Sequence, residues 1–326
     1  MNILLEHISI CLLLILGATG CGASQNRTRP ATAETGNSEI ASNTPTFDSD
    51  SAYEAVRWQV ELGPRVPNTE AHKIAGNRMA GLLRMYGAAV SEQRMDIKAF
   101  DGTILHARNI FGMFNPELTD RTLLVAHYDC RPWADEDPDP EKRKNPVEGA
   151  NDGASGVAVL LETARHLGEE NPGVGVDILF VDAEDWGTDG DEDSWAMGTR
   201  YFVENPIHPG YSPSRVIVTD MVGGTGAIFP VEFFSYQSAP DMINRWHSSA
   251  NKAGYEAFFP VTLGGAVTDD HVEFIKVGIP AIDIIEYHPE SGFNPHWHTT
   301  TDNLSNISKE TLKAVGQTLL EFLYKP

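Results

Sequence analysis

Acidic and imidazole side chains recur in this chain at places where chemistry could use them. "LLVAHYD" ends in His127 and Asp129, and the turn "GANDGASG" offers Asp152. "ILFVDAED" ends in Glu184 and Asp185, "VIVTD" in Asp220, and "AVTDDH" supplies Asp269, Asp270 and His271. A further stretch, "EYHPESGFNPHWHTTTDN" at 286–303, carries His298 together with His288, His296, Phe293 and Trp297. One acid at a strand end is ordinarily a helix N-cap or a solvated loop charge. Several at one edge of a sheet are different, because converging carboxylates repel unless a cation sits among them. Asp, Glu and His without cysteine suit zinc of the catalytic kind, with three protein ligands and an open position. The 286–303 stretch has no helical or strand period, and such loops carry function more often than packing. Its aromatics could equally close a buried turn.

The elements that must position these residues alternate along the chain. "AYEAVRWQVELG", "TEAHKIAGNRMAGLLRMYG", "GASGVAVLLETARHLG" and "APDMINRWHSSANKAG" have helical spacing. "SKETLKAVGQTLLEFLY" predicts a closing helix capped by Ser308. "ILHARNIFGMF", "TLLVAHYD", "VDILFVDAED", "SRVIVTDMVG" and "IPAIDIIEY" read as strands, several of them continuous apolar runs suited to a buried position. Alternating strands and helices predict a single α/β domain with a mostly parallel or mixed central sheet and helices on both faces. In such folds ligands gather outside the carboxyl ends of the strands, where the acids listed above fall.

With 326 residues and 41% hydrophobic content, the chain can bury a sizeable core. A formal net charge of −22 argues against a nucleic-acid partner, which would need clustered Lys and Arg. "ISICLLLILGATGC" is an apolar run too short to span a membrane and reads as a secretory signal over residues 1–20. Ala18-Thr19-Gly20-Cys21 resembles the lipobox of bacterial lipoproteins, so Cys21 is the expected lipidation site. The expectation is an exported, periplasmic protein that meets the membrane only through an N-terminal lipid anchor. Residues 21–50 are rich in Thr, Ser, Asn, Ala and Pro and predict a flexible tether, with the folded domain over 51–326. Cys130 alone remains in that domain, so no internal disulfide is expected.

Read together, "HYD…GANDGASGVAVLLETAR…FVDAED…VTDMVGG…TDDHVEFIKVGIPAIDI…WHTTTDN" resembles the zinc exopeptidase superfamily of di-zinc aminopeptidases. Within it the chain most resembles the glutaminyl-peptide cyclotransferases (glutaminyl cyclases), in particular their bacterial lipoprotein branch. "TDDHVEF" and Trp297-His298-Thr299 after Phe293 carry that narrower likeness. The resemblance implies one zinc (Zn2+) per chain, held by Asp152, Asp185 and His298. It makes Glu184 the general acid/base, puts Asp220 and Asp269 in a hydrogen-bonded acidic network, and lines the substrate pocket with Phe293 and Trp297. The implied substrates are peptides and proteins with N-terminal Gln, cyclised to pyroglutamate with loss of ammonia by a monomeric enzyme. Many relatives have Glu-Glu where Glu184-Asp185 stands, so the shorter ligand requires its loop to sit closer to the metal. The alternative is a two-zinc aminopeptidase in which Glu184 activates water and His127 and Asp220 hold the second metal. His288 and His296 are expected to be structural. Acidic loops 134–140 and 189–193 read as a rigid loop near the mouth of the site and a solvated loop, respectively. Trp186 and Trp195 follow Glu184, with core packing the default for Trp195.

Overall fold

Every residue of the runs Arg121–His127 and Gly175–Val181 is buried, as strands covered on both faces must be. They are the third and fourth of six strands in the computed structural model, which describes residues 44–325. The strands are β1 (Ala89–Lys98), β2 (Ile104–Phe114), β3 (Arg121–His127), β4 (Gly175–Val181), β5 (Arg215–Asp220) and β6 (Ala281–Ile285). They form one sheet in the order β1-β2-β4-β3-β5-β6. β4, β3, β5 and β6 run parallel, with Leu124 of β3 paired to Ile178 on one side and Ile217 on the other. The β1–β2 hairpin adds antiparallel strands at the β4 edge. The sheet is therefore mixed.

Alternation along the strands builds two cores. Leu124, Ala126, Ile178, Phe180, Ile217 and Ile282 join the larger one. Helices α1 (Ser49–Glu61), α2 (Glu70–Met85), α3 (Ala154–Glu169), α6 (Pro240–Ala253) and α8 (Lys309–Tyr324) cover it through residues such as Val56, Met79, Val157, Trp246 and Leu319. Leu123, Val125, Leu179, Val216 and Val218 point the other way and meet Phe202 and Phe274. Those two belong to the short helices α4 (Met197–Glu204) and α7 (Asp270–Lys276). A further short helix, α5 (Phe233–Ser238), comes between β5 and α6. Ser308 caps α8 by accepting the Thr311 N–H, as its position in the sequence predicts.

Three features differ from the sequence reading. β1 has only Met95 buried, and its other apolar residues, Ala89, Val90 and Ile97, are scattered among polar ones, so no sustained apolar period marks this edge strand. The short helices α4 and α7 likewise lack enough turns to show a period. Packing also starts earlier than Ser51: Phe47 is buried and its N–H donates to Gln317 Oε1 at 2.9 Å. The signal, Cys21 and most of the expected tether lie outside the described residues. Within them Cys130 is a free, buried thiol, and no helix is long and apolar enough to cross a membrane.

Candidate active site

β3 and β5 are neighbours, yet the chain leaves β3 for β4 on one side and β5 for β6 on the other. Ligands bind at such a switch of direction. His127 closes β3 and Asp220 closes β5, and His127 Nε2 lies 3.1 Å from Asp220 Oδ1. Asp152 sits in the turn before α3. That turn requires Gly153, whose φ is +92° and whose added Cβ would come within 2.8 Å of the Asp129 carbonyl oxygen. Gly156 brings α3 against β5, since a Cβ there would lie 2.2 Å from the Thr219 carbonyl.

Buried carboxylates hold the site-bearing loops by their backbone. Asp129 accepts the N–H groups of Glu184 and Asp185 at 3.2 and 3.1 Å. Asp302 accepts those of Asn151 and Asp152 at 2.8 and 3.1 Å. Ala183, Met221 and His298 have φ of +54°, +48° and +52°. A left-handed backbone costs a non-glycine residue about 1–3 kcal/mol and persists where surrounding contacts enforce it. All three flank or belong to the site.

Asp152, Asp185 and His298 converge with donor atoms within 4.8 Å of one another. His298 Nε2 is 3.2 Å from Asp185 Oδ1 and 3.5 Å from Asp152 Oδ2. Asp185 Oδ2 is buried and has no hydrogen-bond partner, the mark of an oxygen facing a cation. Two carboxylates and an imidazole with one oxygen left over fit a three-ligand zinc site. A second group shares Asp152: His127 Nε2 is 3.0 Å from Asp152 Oδ1 as well as 3.1 Å from Asp220. Burial works against a charged His127, but Asp220 and the hydrogen-bonding Asp129 and Asp152 raise its pKa well above the usual range. Burial also penalises the Asp152 anion, yet His127 and His298 keep it low. Asp185 goes up through burial and then the Asp152 charge. Burial lifts Asp220 to about 7 despite His127.

Glu184 makes no side-chain hydrogen bond; its nearest cationic atom is His127 Nδ1 at 3.9 Å. Burial, then the Asp269 and Asp185 charges, raise it well above the ordinary carboxylate range against the pull of His127. It lines a cleft of about 220 Å³ with Asp152, Asp185, Asp220, Asp269 and His298. Asp220 bonds His127 at 3.1 Å and also feels the Asp269 charge, and both acids act on the buried Asp283. Asp269 uses Oδ1 to accept the Asp270 N–H at 2.5 Å and lies beside His271 and Asp283, whose carboxyl is pushed well above the ordinary range by burial and then by the Asp269 and Asp220 charges.

Aromatic rings wall the cleft. Trp297 stacks on His298 with centroids 3.7 Å apart, and Phe293 tilts against Trp297 at 4.6 Å. Trp195 corrects the default placed on it: it lines the cleft and is parallel to His298 at 6.0 Å, because its chain segment crosses the mouth rather than the core. Trp186 is the buried one, packed with Ala183 and Met197. The 189–193 loop is also more than a solvated loop, since Asp189 and Glu192 reach the cleft lining. In the 134–140 loop, Asp137 is buried and accepts the Thr300 N–H and O–H. His288 pairs with Glu286 and His296 with Thr301, outside the ligand set. Arg131 and Asp302 carry no motif signal because the backbone groups they hold, at 185–187 and 151–152, are distant in sequence.

The model of peptidase family M28 matches residues 109–323. The structure of Bacteroides thetaiotaomicron glutaminyl cyclase bound to N-acetylhistamine has a TM-score of 0.86 and 47% identity, covering 87% of this chain and 100% of that one. A Zn-dependent exopeptidase from Parabacteroides distasonis has a TM-score of 0.85 and 49% identity, with coverage of 87% and 100%. Aminopeptidase YwaD of Bacillus subtilis (strain 168) is 28% identical over 284 residues, which are 81% of this chain and 54% of that protein. The chain thus spans about half the length of that curated relative. A six-stranded mixed sheet with acids and imidazoles at its parallel strand ends, matched to these relatives over most of its length, belongs to peptidase family M28, on the branch of the bacterial glutaminyl cyclases.

Proposed function

We propose that the protein cyclises the N-terminal glutamine of peptides and proteins to pyroglutamate, releasing ammonia. The observation that carries this reading is Glu184. It is a buried carboxylate without a hydrogen bond, open to an aromatic-walled cleft beside Asp185 and His298. Asp152, Asp185 and His298 would hold one zinc, which when bound supplies a Lewis acid for the γ-carbonyl. The remaining work falls to the chain. Trp297, Phe293 and Trp195 wall a space the size of one side chain and keep water from competing. The α-amine and γ-carboxamide belong to the same residue, so holding that residue folded presents nucleophile to carbonyl. Glu184 takes a proton from the attacking amine as the ring C–N bond forms. It returns that proton to the γ-nitrogen as the old C–N bond breaks, so lactam and ammonia balance the substrate. A raised pKa brings its two protonation states closer in energy, as a shuttle requires.

A second reading rests on a specific observation: His127, Asp152 and Asp220 form a second group of possible ligands that shares Asp152 with the first. With two metals, Glu184 would take its proton from water and the protein would be an aminopeptidase. In the one-zinc reading His127 instead bridges the two carboxylates by hydrogen bonds, with Nε2 3.0 Å from Asp152 and 3.1 Å from Asp220. Incubating purified protein with Gln-peptides and Leu-peptides separates the two. A lactam with ammonia supports cyclisation; free leucine with unchanged Gln-peptide refutes it. We further propose a monomer exported to the periplasm and anchored through lipid on Cys21, with a polar tether ahead of the catalytic domain. Fatty-acid labelling that persists in Cys21→Ser would refute the anchor.

A further inference from the structure

Arg131 joins two of the proposed ligands from behind. Its Nη1 donates to the Asp185 and Gly187 carbonyl oxygens at 3.2 and 3.3 Å and lies 3.4 Å from Asp185 Oδ1. Its Nε and Nη2 fork onto Asp135 at 2.7 and 2.5 Å. Asp135 Oδ1 in turn lies 3.8 Å from His298 Nδ1, the nitrogen opposite the one that faces Asp152 and Asp185. The next residue continues the link, because the Glu136 N–H donates to the His298 carbonyl at 3.1 Å. The Arg131 guanidinium also lies 4.9 Å from the centre of Trp195, which is stacked on His298. One buried cation thus touches the backbone and side chain of Asp185, and reaches His298 both through Asp135 and through Trp195.

We propose that the Arg131–Asp135 pair is a positioning unit for the metal centre, fixing Asp185 and His298 in one geometry and so raising zinc affinity. Three physical reasons support it. A metal-bound imidazole needs a partner for its other ring N–H, and carboxylates in that role set ring orientation and basicity. The two carbonyl contacts of Arg131 hold the 185–187 segment, which carries the ligand Asp185, in place. The cleft lining contains no Lys or Arg, so Arg131 is the cation that offsets the ligand carboxylates from outside the first layer. A planar fork can bond Asp135 with one edge and the 185–187 carbonyls with the other, which a lysine ammonium does not reproduce.

The inference rests on the metal assignment and not on which reaction the enzyme performs, so its test reads zinc directly. Zinc dissociation constants would be measured by competition with a chromogenic chelator for wild type, Arg131→Met, Arg131→Lys and Asp135→Asn. The melting temperature of each metal-free protein would be measured in parallel. The expected result is a dissociation constant raised roughly 10–100-fold in Arg131→Met and Asp135→Asn, with at most partial recovery in Arg131→Lys. Arg131 is deeply buried and its removal could impair folding. Asp135 is half-exposed, with 38% of its side-chain surface accessible, and its amide isostere keeps the shape. Asp135→Asn therefore decides the matter: weakened zinc binding with an unchanged metal-free melting temperature supports the unit. Zinc affinity within about threefold of wild type in Asp135→Asn overturns it, whatever happens to stability. A wild type that binds no zinc would instead sink the metal assignment itself.

Discussion

Replacing Glu184 by glutamine is the sharpest perturbation the site offers. The two side chains have the same length, and Glu184 donates or accepts no side-chain hydrogen bond that the change would break. Its backbone N–H stays on Asp129, as does that of the ligand Asp185, so the metal ligands keep their anchor. The folded-state pKa of Glu184 is raised above its ordinary value of 4.5. For an acid shifted this way, the unfolded chain ionises first, and stability falls as pH rises past that ordinary value. Glutamine has no such penalty. The metal-free variant should melt at or above the wild-type temperature at neutral pH. What it loses is a proton acceptor and donor at the reacting nitrogen. General acid–base catalysis is worth roughly 10²–10⁴ in rate, or about 3–5 kcal/mol of barrier at 1.36 kcal/mol per decade. The assay is kcat for ammonia release from a Gln-peptide, with zinc content and melting temperature measured on the same preparations. A kcat within about threefold of wild type in a folded, zinc-loaded variant would refute the role given to Glu184, since it lies far below the lower limit expected for a shuttle.

Elemental analysis should give one zinc per chain, and His298→Ala should lose zinc and activity together; two tightly held zincs would favour the aminopeptidase reading. Trp297→Ala should lower kcat/KM by about one to two decades, since losing one aromatic wall forfeits roughly 1–3 kcal/mol. A large drop in melting temperature with unchanged kcat/KM would return Trp297 to a packing role. Glu232 tests the fold rather than the site. Burial opposes its ionisation, but His271 and the Ser235 and Phe234 amides hold its pKa at about 2 against an ordinary 4.5. A depressed acid stabilises above its unfolded pKa and loses that contribution as pH falls through the folded one. Glu232→Gln should therefore destabilise by roughly 3 kcal/mol at pH 7 and by little near pH 2, seen as a flatter stability profile between those limits. An equal loss at both ends would show that the effect is packing.

How much of this was legible in the sequence depends on the range of the physical cause. β3, β4, β5 and β6 announce themselves because strands buried on both faces must be continuously apolar. The strand-end acids follow from the rule that parallel sheets bind ligands at their carboxyl ends. β1 is silent because, as an edge strand, it commits only Val90, Met95 and Ile97 to packing, too few to stand out from its polar residues. Trp195 was misplaced because its side chain is decided by a loop crossing the cleft mouth, and no local period encodes that. Arg131 was missed for a similar reason. Its partners Asp185 and Gly187 are more than fifty residues away, and a lone arginine after "HYDC" looks like any other surface charge.

The acids of the site divide by what their oxygens do, and the division reconciles the two meanings a strand-end carboxylate can have. Asp129 and Asp302 spend both oxygens on backbone N–H groups. Asp182 does comparable work, accepting the Arg108 and Ala183 N–H groups and the Tyr128 hydroxyl while pairing with His72. These are caps and braces, as the ordinary reading of such residues holds. Glu184 has no side-chain hydrogen bond, its nearest cationic atom lying 3.9 Å away, and one oxygen of Asp185 is buried without a partner. An unpaired buried oxygen is expensive, and a fold tolerates it where something else completes it, here a metal or a substrate proton. The braces make that tolerance possible. By tying Glu184 and Asp185 to Asp129, and Asp152 to the loop of His298 through Asp302, they prevent the free carboxylates from drifting apart to relieve their repulsion. His298 at φ +52° is held against its own backbone preference in the same way. The 286–303 loop is thus clamped by buried Asp137 and Asp302 around one left-handed residue, His298, and its imidazole, Phe293 and Trp297 line one cleft.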